Sequence, residues 1–340
     1  MKTYVYQDRI ALDALTVVER PDPTPGPYDM VVRMLAASLN FRDLAMARGH
    51  YHADTKAPMV PLSDGVGEVV QIGASVTRFQ IGDRVCPTYL PDWIDGPLQP
   101  AKARRRLGGP SDGVLTEAMC VHEEAAVRAP RHLDHAEAAT LPITAVTAWH
   151  VLYRTGCVRP GETVLVQGTG GISLAALQFA RAGGARVVAL TRGDRHAAKL
   201  RELGASDVIP RGDAPDWPRD VIACTGGRGV DVAVDVVGGP SLARTIAATR
   251  LGATLHLVGY TADTSATIDI FDAIRHGANV HAATAGSRES FESMVRALEA
   301  HSIRPPVDRV FAFDRARDAL EHLASGGHFG KVVIEFSRAP

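Results

Sequence analysis

Apolar and polar positions between residues 164 and 191 alternate as expected for a strand, a glycine turn, a helix and a second strand. The apolar run from Val164 leads into three glycines, where missing side chains let a phosphate approach the backbone at a helix N-terminus. The helix is predicted to begin near Ile172, with Leu174 and Leu177 on its inner face. This pattern is typical of a site for a dinucleotide pyrophosphate. The predicted binding residues are Gly168, Thr169, Gly170, Gly171 and Ile172.

A glycine trio also marks ordinary turns, so the prediction depends on the segments that follow. Strand-like apolar runs occur at 207–209, 231–237, 254–258 and 279–283, and helical segments separate them. Alternation of strands and helices predicts a parallel, doubly wound α/β sheet.

The first 140 residues show a different pattern, with short alternating runs rich in Val and broken by Gly and Pro. This predicts a mostly β domain. A helix at 289–299, a strand at 307–313, a helix at 315–323 and a closing strand at 331–336 are expected to complete it. We therefore predict one domain from 1–143 with 286–340, and a cofactor-binding domain from 144–285.

Residues 91–113 contain many turn formers and little periodicity, which predicts a long loop. Long loops in compact domains often act as lids, and then Asp92, Trp93 and Asp95 would border a pocket. A surface excursion without function is the alternative.

The composition narrows the function. The chain has 340 residues, 46% of them hydrophobic, and a net charge of −1, as expected for an enzyme of about two domains with no nucleic-acid partner. No apolar run of membrane-spanning length and no signal peptide is visible, so we expect a cytoplasmic protein without a membrane partner. The cysteines form no CxxC pair, which disfavours structural zinc and redox dithiols and favours reduced apolar fillers: Cys86, Cys120, Cys157 and Cys224.

Several motifs occur in the order found in one enzyme superfamily. They are SLNFRDLAMARGHY at 38–51, PLSDGVGEVVQIGASVTRFQIGDRV at 61–85, LPITAVTAWHVL at 141–152, the glycine turn, and HFGKVV at 328–333. Over nearly its whole length the sequence resembles the medium-chain dehydrogenase/reductase superfamily. The resemblance implies a GroES-like mostly β domain joined to a Rossmann domain. It is strongest to the zinc-independent, quinone-reductase-like branch, which includes alcohol-dehydrogenase-like members.

The resemblance also identifies the positions at which zinc-dependent relatives hold their catalytic metal. Here those positions carry Asn40, Ser63 and Ile143, and Asp64 follows the second of them. Zinc prefers thiolate, imidazole and carboxylate ligands, which an amide, a hydroxyl and an alkyl group do not replace. The structural-zinc lobe is also missing, and the 91–113 loop lies in its place. We therefore predict an enzyme without a metal.

At the end of the second Rossmann strand, NAD-specific proteins carry an acid that binds the adenosine ribose. This chain has Thr191 there, followed by Arg192 and Arg195, which favours the 2′-phosphate of NADPH. The alternative is that both arginines are solvated and that Asp194 caps the next helix.

Carried over residue by residue, the resemblance implies that Thr147 approaches the nicotinamide and that Val258 and Gly259 line its pocket. It places Lys331 near the cofactor phosphates, although a lysine beside an edge strand is ordinarily solvated. Asn40 is the expected catalytic donor, to the substrate or to the nicotinamide ribose, with Tyr51 nearby in the same motif. A simple turn role for Asn40 is the alternative.

These predictions combine into one hypothesis about function. The protein is expected to be a zinc-independent NADPH-dependent oxidoreductase that transfers hydride to a small enone, quinone or aldehyde. The alternatives are a metal-free NADP-dependent alcohol dehydrogenase and a nucleotide-binding sensor without turnover. The resemblance further implies a homodimer that pairs the strands at 279–283.

Overall fold

A computed structural model describes residues 1–50, 54–212 and 216–336. The chain divides into two compact units, Met1–Val146 with Ala285–Pro340, and Thr147–Thr284. The sequence had suggested boundaries at residues 143 and 286. Over the residues that the structure describes, no helix is both long and apolar enough to cross a membrane.

The first unit is mostly β. Its elements before the Rossmann unit are β1 (Lys2–Tyr6), β2 (Leu15–Glu19), β3 (Asp29–Ser38), α1 (Phe41–Ala47), β4 (Asp64–Ile72), β5 (Arg84–Pro87), β6 (Ala118–His122), β7 (Ala126–Arg128) and α2 (His135–Ala138). Short 3₁₀ helices occur at Leu12–Ala14, Pro100–Ala103 and Glu123–Ala125.

The second unit alternates strands and helices. Its elements are α3 (Val146–Trp149, which starts one residue before the unit), β8 (Thr163–Gln167), α4 (Gly171–Ala182), β9 (Arg186–Thr191), α5 (Ala197–Glu202), β10 (Asp207–Pro210), α6 (Trp217–Cys224), β11 (Val230–Asp235), α7 (Ser241–Ala247), β12 (Thr249–Leu257), α8 (Ile270–His276) and β13 (Asn279–Ala282). A 3₁₀ turn precedes α5 at Asp194–His196.

The chain then returns to the first unit, with α9 (Arg288–His301), β14 (Val307–Ala312), a 3₁₀ turn at Phe313–Arg315, α10 (Ala316–Ser325) and β15 (Lys331–Glu335). The main sheet there has the order β14-β15-β3-β4-β5-β7, and β6 also pairs with β3. Strand β15 is antiparallel to β3, with Val333 opposite Ser38. The closing strand is thus an inner strand of the sheet, and the expectation of an edge strand is wrong.

The second unit contains a parallel sheet in the order β10-β9-β8-β11-β12-β13. This is the strand order of a Rossmann fold, in which ligands bind beyond the carboxyl ends of the strands. The α/β fold class is confirmed. Strand β8 is fully buried because helices cover both faces of a parallel sheet.

Two strand ends differ from the expected ones for local reasons. Strand β11 ends at Asp235 and not at 237, because the backbone N–H groups of Val237 and Gly238 turn back to the Asp235 carboxylate. Strand β12 begins at Thr249, five residues before the expected start at 254, with a register irregularity between Val230 and Val232 of its partner strand.

The loop at 91–113 is tied down at its start. Trp93 is buried and packs against Tyr89, Leu90 and Ala285. The backbone N–H of Arg288 donates to the Trp93 carbonyl at 2.9 Å, and the indole N–H donates to the Gly96 carbonyl at 2.8 Å. Trp93 is therefore part of a hydrophobic cluster, and the expectation that it borders an open pocket is not supported.

The four cysteines are free thiols, but they are not uniformly buried fillers. Cys86 is buried, Cys224 is half-buried, and Cys120 and Cys157 are exposed. The expectation of apolar fillers therefore fits Cys86 and is wrong for the two exposed residues.

Candidate functional site

The glycine turn joins β8 to α4 at the carboxyl end of the Rossmann sheet. Gly168 has φ = +80°, a conformation that favours glycine, and its N–H donates to the Leu190 carbonyl at 2.7 Å. Gly170 is the N-cap of α4, without a capping side chain. A Cβ added at either glycine would meet no atom within 4 Å. The turn therefore leaves space beside the helix N-terminus, where anions are stabilised.

The loops after β11 and β12 form a second part of this edge. Gly259 follows β12, and a Cβ there would meet the Val236 carbonyl oxygen at 2.4 Å, so only glycine fits. The N–H of Val258 donates to the Asp235 carbonyl at 2.8 Å. Val258 and Gly259 thus lie at the carboxyl end of the sheet, as expected from the sequence.

A buried polar network stabilises this edge. The Thr245 hydroxyl donates to Asp235 Oδ2 at 2.9 Å and accepts from Gln167 Nε2 at 2.8 Å. The Ser241 hydroxyl donates to Gln167 Oε1 at 2.9 Å. Gln167 is the last residue of β8, so the network connects the glycine turn to the loop after β11. Sequence reasoning missed Gln167, because its spacing from Thr245 carries no signal.

The end of β9 carries the residues expected to choose the cofactor. Thr191 is buried, and its hydroxyl donates to the Gly193 carbonyl at 3.1 Å. Arg192 and Arg195 are exposed. Asp194 begins a 3₁₀ turn and makes no side-chain cap, so the alternative in which it caps the helix is wrong.

A further arginine lies at this corner. Strand β10 pairs with β9, with Pro210 opposite Thr191, and the Arg211 N–H donates to the Thr191 carbonyl at 2.8 Å. The pairing brings the backbone of Arg211 to the end of β9, beside Arg192. No sequence pattern indicates this proximity, because it depends on strand order.

Thr147 lies in α3, between π-helical stretches at Leu141–Ala145 and His150–Thr155. It is buried. Wide turns of this kind are rare and frequently mark functional sites. The role of Thr147 beside the nicotinamide stays a prediction.

Asn40 lies in the first unit, just before α1. Its backbone N–H donates to Asp43 Oδ2 at 2.7 Å. Its side-chain Oδ1 accepts a hydrogen bond of 2.5 Å from Lys331 Nζ, and the same ammonium donates to the Leu39 carbonyl. Asn40 Nδ2 is buried without a hydrogen-bond partner among the described residues.

Lys331 is only 5% exposed, so the expectation of a solvated lysine is wrong. Its Nζ lies 3.9 Å from the carboxylate of Asp64, which is fully buried. Burial raises the pKa of the Asp64 carboxyl, an effect that the nearby ammonium opposes, and burial lowers the pKa of Lys331. The 3.9 Å separation places the two groups within ion-pair range, and each opposes the effect of burial on the other.

Ser63 is held by a second buried cation. The Arg42 guanidinium donates to the Ser63 hydroxyl and to the Leu107 carbonyl, the latter at 3.3 Å, and lies 4.9 Å from the centre of the Tyr89 ring. Ser63 itself donates to the Leu107 carbonyl at 2.8 Å.

Two of the three positions matching metal ligands are therefore hydrogen-bonded to cations, and the third, Ile143, packs against the cluster around Trp93. Among the residues that the structure describes, no three His, Cys, Asp or Glu side chains are grouped to hold a metal ion. The donor set present does not fit zinc. Tyr51, the other predicted catalytic residue of the motif, lies outside the described residues.

Comparisons with known proteins agree with this architecture. Residues 26–131 match the alcohol dehydrogenase GroES-like domain, and residues 171–300 match the zinc-binding dehydrogenase family. A zinc-type alcohol dehydrogenase-like protein of Schizosaccharomyces pombe is 35% identical, over 98% of each chain. The chain belongs to the medium-chain dehydrogenase/reductase superfamily. It is an oxidoreductase of the alcohol-dehydrogenase-like family.

Solved structures of this superfamily match the whole chain. A Sinorhizobium meliloti protein, provisionally described as an alcohol dehydrogenase, has a TM-score of 0.91 and 36% identity, over 98% of this chain and 99% of its own. An NAD-dependent alcohol dehydrogenase has a TM-score of 0.89 and 29% identity, over 99% and 100% of the two chains. The family resemblance expected from the motifs is confirmed.

Proposed function

We propose that the protein is a zinc-independent, NADPH-dependent oxidoreductase that reduces a small enone, quinone or aldehyde. The observation that carries this proposal is the replacement of metal ligands by Asn40 and Ser63, each hydrogen-bonded to a buried cation. Lys331 and Arg42 balance the charges of Asp64 and Asp43, so these two carboxylates are already paired with protein cations. The zinc-type name of the relative is a reason to test this point directly.

The residues of the Rossmann unit fit a nicotinamide dinucleotide. The open Cβ positions of Gly168 and Gly170 leave space for a pyrophosphate beside α4. Gly259 keeps the loop after β12 close to Val236, where a nicotinamide ring would bind. The bound cofactor would supply the hydride, and Thr147 would contact its nicotinamide.

The corner at the end of β9 supports NADPH as the preferred cofactor. Position 191 carries a threonine and therefore offers no carboxylate to accept hydrogen bonds from the ribose hydroxyls. Positive charge for a 2′-phosphate comes from Arg192, Arg195 and Arg211. The NAD-dependent structural relative makes NADH the competing possibility. Binding constants for both cofactors would decide between them.

The proposed substrate class follows from the proposed zinc independence. Only hydrogen-bond donors are then left to stabilise the negative charge that hydride transfer creates. When hydride adds to the β carbon of an enone, charge spreads over the conjugated carbonyl, and a hydrogen-bond donor is enough to stabilise it. The Asn40 amide is the proposed donor to that oxygen, and a proton from solvent completes the reduction at the α carbon. Aldehydes and simple alcohols, whose oxygen carries a localised charge in the transition state, would react more slowly than enones and quinones.

Consumption of NADPH with a panel of quinones, enones, aldehydes and alcohols would test this proposal. We expect measurable turnover with an enone or quinone. Turnover confined to alcohols and NADP⁺ would favour a metal-free alcohol dehydrogenase. Tight binding of NADPH with no turnover across the panel would favour a sensor. The four free thiols fit the reducing cytoplasm, which is the proposed location.

We also propose that the protein forms a homodimer through β13 and α8. Strand β13 is the edge strand of the Rossmann sheet, and its four residues are exposed. Phe271 and Ile274 on α8 are 71% and 70% exposed. A free strand edge beside a large apolar patch is typical of a self-association surface.

Sedimentation of a Phe271→Asp variant would test the dimer. We expect the variant to sediment as a monomer at concentrations where the wild type is dimeric, because the carboxylate would be buried in the interface. Val310→Glu on β14, the edge strand of the other sheet, is the matched control and should remain dimeric. A monomeric wild type, or dissociation by the control substitution alone, would contradict this interface.

A further inference from the structure

The contact between Lys331 and Asn40 determines which way the Asn40 amide faces. An ammonium group has only donors, so the atom it touches at 2.5 Å must be the amide oxygen. The amide nitrogen is then directed away from Lys331. Without this contact the two orientations of the amide would be much closer in energy.

The amide nitrogen directed away from Lys331 carries two N–H groups. This nitrogen is buried and has no hydrogen-bond partner in the described part of the chain, although the Asn40 side chain is close enough to Asp64 to lower the pKa of that carboxyl. Buried donors without acceptors are uncommon in native proteins and call for an explanation. A bound carbonyl oxygen of the substrate would supply the acceptor.

The backbone fixes both residues of the contact. Strand β15 is paired with β3, and the Leu39 N–H donates to the Val332 carbonyl at 3.0 Å. The Asn40 N–H is held by Asp43. The Lys331 ammonium donates to both the Leu39 carbonyl and the Asn40 amide oxygen. The contact between Lys331 and Asn40 is therefore held at two points, unlike that of a flexible surface lysine.

We propose that Lys331 is a positioning residue for the reaction, which orients the Asn40 amide so that its N–H groups face the substrate oxygen. The role depends on the proposed function. It differs from the role expected from the sequence, in which Lys331 contacts the cofactor phosphates. The ammonium is buried, and two of its three N–H groups already donate to oxygens of the protein. Only one N–H group is left to bind a phosphate.

Four variants separate positioning from simple charge balance. Lys331→Met removes the contact with Asn40 and leaves the buried Asp64 carboxylate without its ion-pair partner. Lys331→Arg keeps the charge. Asp64→Asn removes the carboxylate, and the double variant Lys331→Met/Asp64→Asn removes both charges together. Lys2→Met, on the exposed end of β1, is the control for loss of a lysine.

We expect Lys331→Met to lower kcat by about 10- to 100-fold with little change in KM or in the dissociation constant of NADPH, because a mispositioned donor mainly affects the transition state. Lys331→Arg should recover part of the loss. The double variant should regain the melting temperature of the wild type but not its kcat. In an Asn40→Ala background, Lys331→Met should have no additional effect on kcat.

Two results would overturn the proposal. If the double variant regained full kcat, Lys331 would only balance the charge of Asp64. If Lys331→Met weakened NADPH binding tenfold and left kcat unchanged, the lysine would serve the cofactor phosphates. Absence of turnover in the wild type would count against the proposed function instead, so the two failures are distinguishable.

A measurement without cofactor or substrate gives an independent readout. The side-chain NH₂ resonances of Asn40, assigned by NMR of the apoprotein, should be a single sharp pair in the wild type and in Lys331→Arg. They should broaden or split in the double variant, which is folded but lacks the ammonium. A single sharp pair in the double variant would show that Asn40 is oriented by something other than Lys331.

Discussion

The two units of this protein prepare for function in opposite ways. In the Rossmann unit, Gly168 and Gly170 leave open space next to a helix N-terminus, where backbone N–H groups can stabilise an anion. In the GroES-like unit, Asn40 and Ser63 lie among buried charges, and side chains from distant parts of the sequence set their orientation. The first site depends on residues that lack side chains, and the second depends on side chains that are closely packed.

This difference determines how each region should respond to substitution. A site built from backbone N–H groups should tolerate substitutions that keep the conformation of the turn. It should lose ligand binding when a side chain fills the open space or a negative charge cancels the positive potential of the helix N-terminus. A site built from buried ion pairs fails when one partner is removed, because the remaining charge has lost its compensation.

The largest effect is expected for Gly170→Asp. The position has an extended backbone that any residue can adopt, and aspartate is a good N-cap, so the variant should fold as stably as the wild type. Its carboxylate would occupy the place of the pyrophosphate and repel it. We expect the dissociation constant of NADPH to rise by at least about 100-fold, or about 2.7 kcal/mol, measured by nucleotide fluorescence.

The neutral N-cap Gly170→Ser is the matched control for this variant. It adds volume at the same position without charge, so its effect on NADPH binding should be smaller than that of aspartate. Equal and slight effects of both substitutions would show that the cofactor does not bind at this turn.

A smaller effect is expected for Arg192→Glu. Reversing the charge beside Thr191 should weaken NADPH binding by about 10- to 100-fold, because the 2′-phosphate would lose a cation and face an anion. Binding of NADH, which lacks that phosphate, should change little or improve. The matched control is Arg201→Glu on the exposed face of α5. Equal loss of NADH and NADPH binding in Arg192→Glu would contradict the assignment of NADPH.

The smallest effect concerns stability and does not involve the cofactor. His256 on β12 is fully buried, and burial, with smaller contributions from His281 and His150, lowers its pKa to about 4. In the unfolded chain a histidine titrates near 6.5, so between these values the unfolded state binds a proton that the native state does not. Stability from this group is complete above pH 6.5 and is lost as the pH falls toward 4.

Urea unfolding of His256→Leu at pH 7 and pH 5 would check this prediction. Between these values the free energy of unfolding of the wild type should lose about 2 kcal/mol through His256, and the variant should lose correspondingly less. His301→Gln, at the exposed end of α9, should keep the pH dependence of the wild type. A variant with unchanged pH dependence would show that His256 is not the group responsible.

The same contrast explains how much could be predicted from the sequence. The Rossmann unit was predictable because its signals are local: Gly168 and Gly170 stand between an apolar strand and an amphipathic helix, and Thr191 ends the next strand. Arg211 was missed at the same edge because it comes from a strand that pairs only in the folded sheet.

The GroES-like unit was less predictable. The motif containing Asn40 was recognised, and the loss of metal ligands could be read from it. The contact with Lys331 joins residues 291 positions apart in the sequence, and no local pattern indicates such a pairing. Lys331 was expected to be solvated because an isolated lysine usually is. Its burial depends on β15 lying between β14 and β3.

The most direct test of the account is the dependence of activity on zinc. The purified protein would be dialysed against a strong chelator, its zinc content measured by mass spectrometry, and NADPH-dependent reduction of an enone or quinone assayed before and after zinc is restored. The account predicts the same kcat/KM at every zinc content, including well below one atom per chain. Activity that rises in proportion to bound zinc, up to one atom per chain, would contradict it.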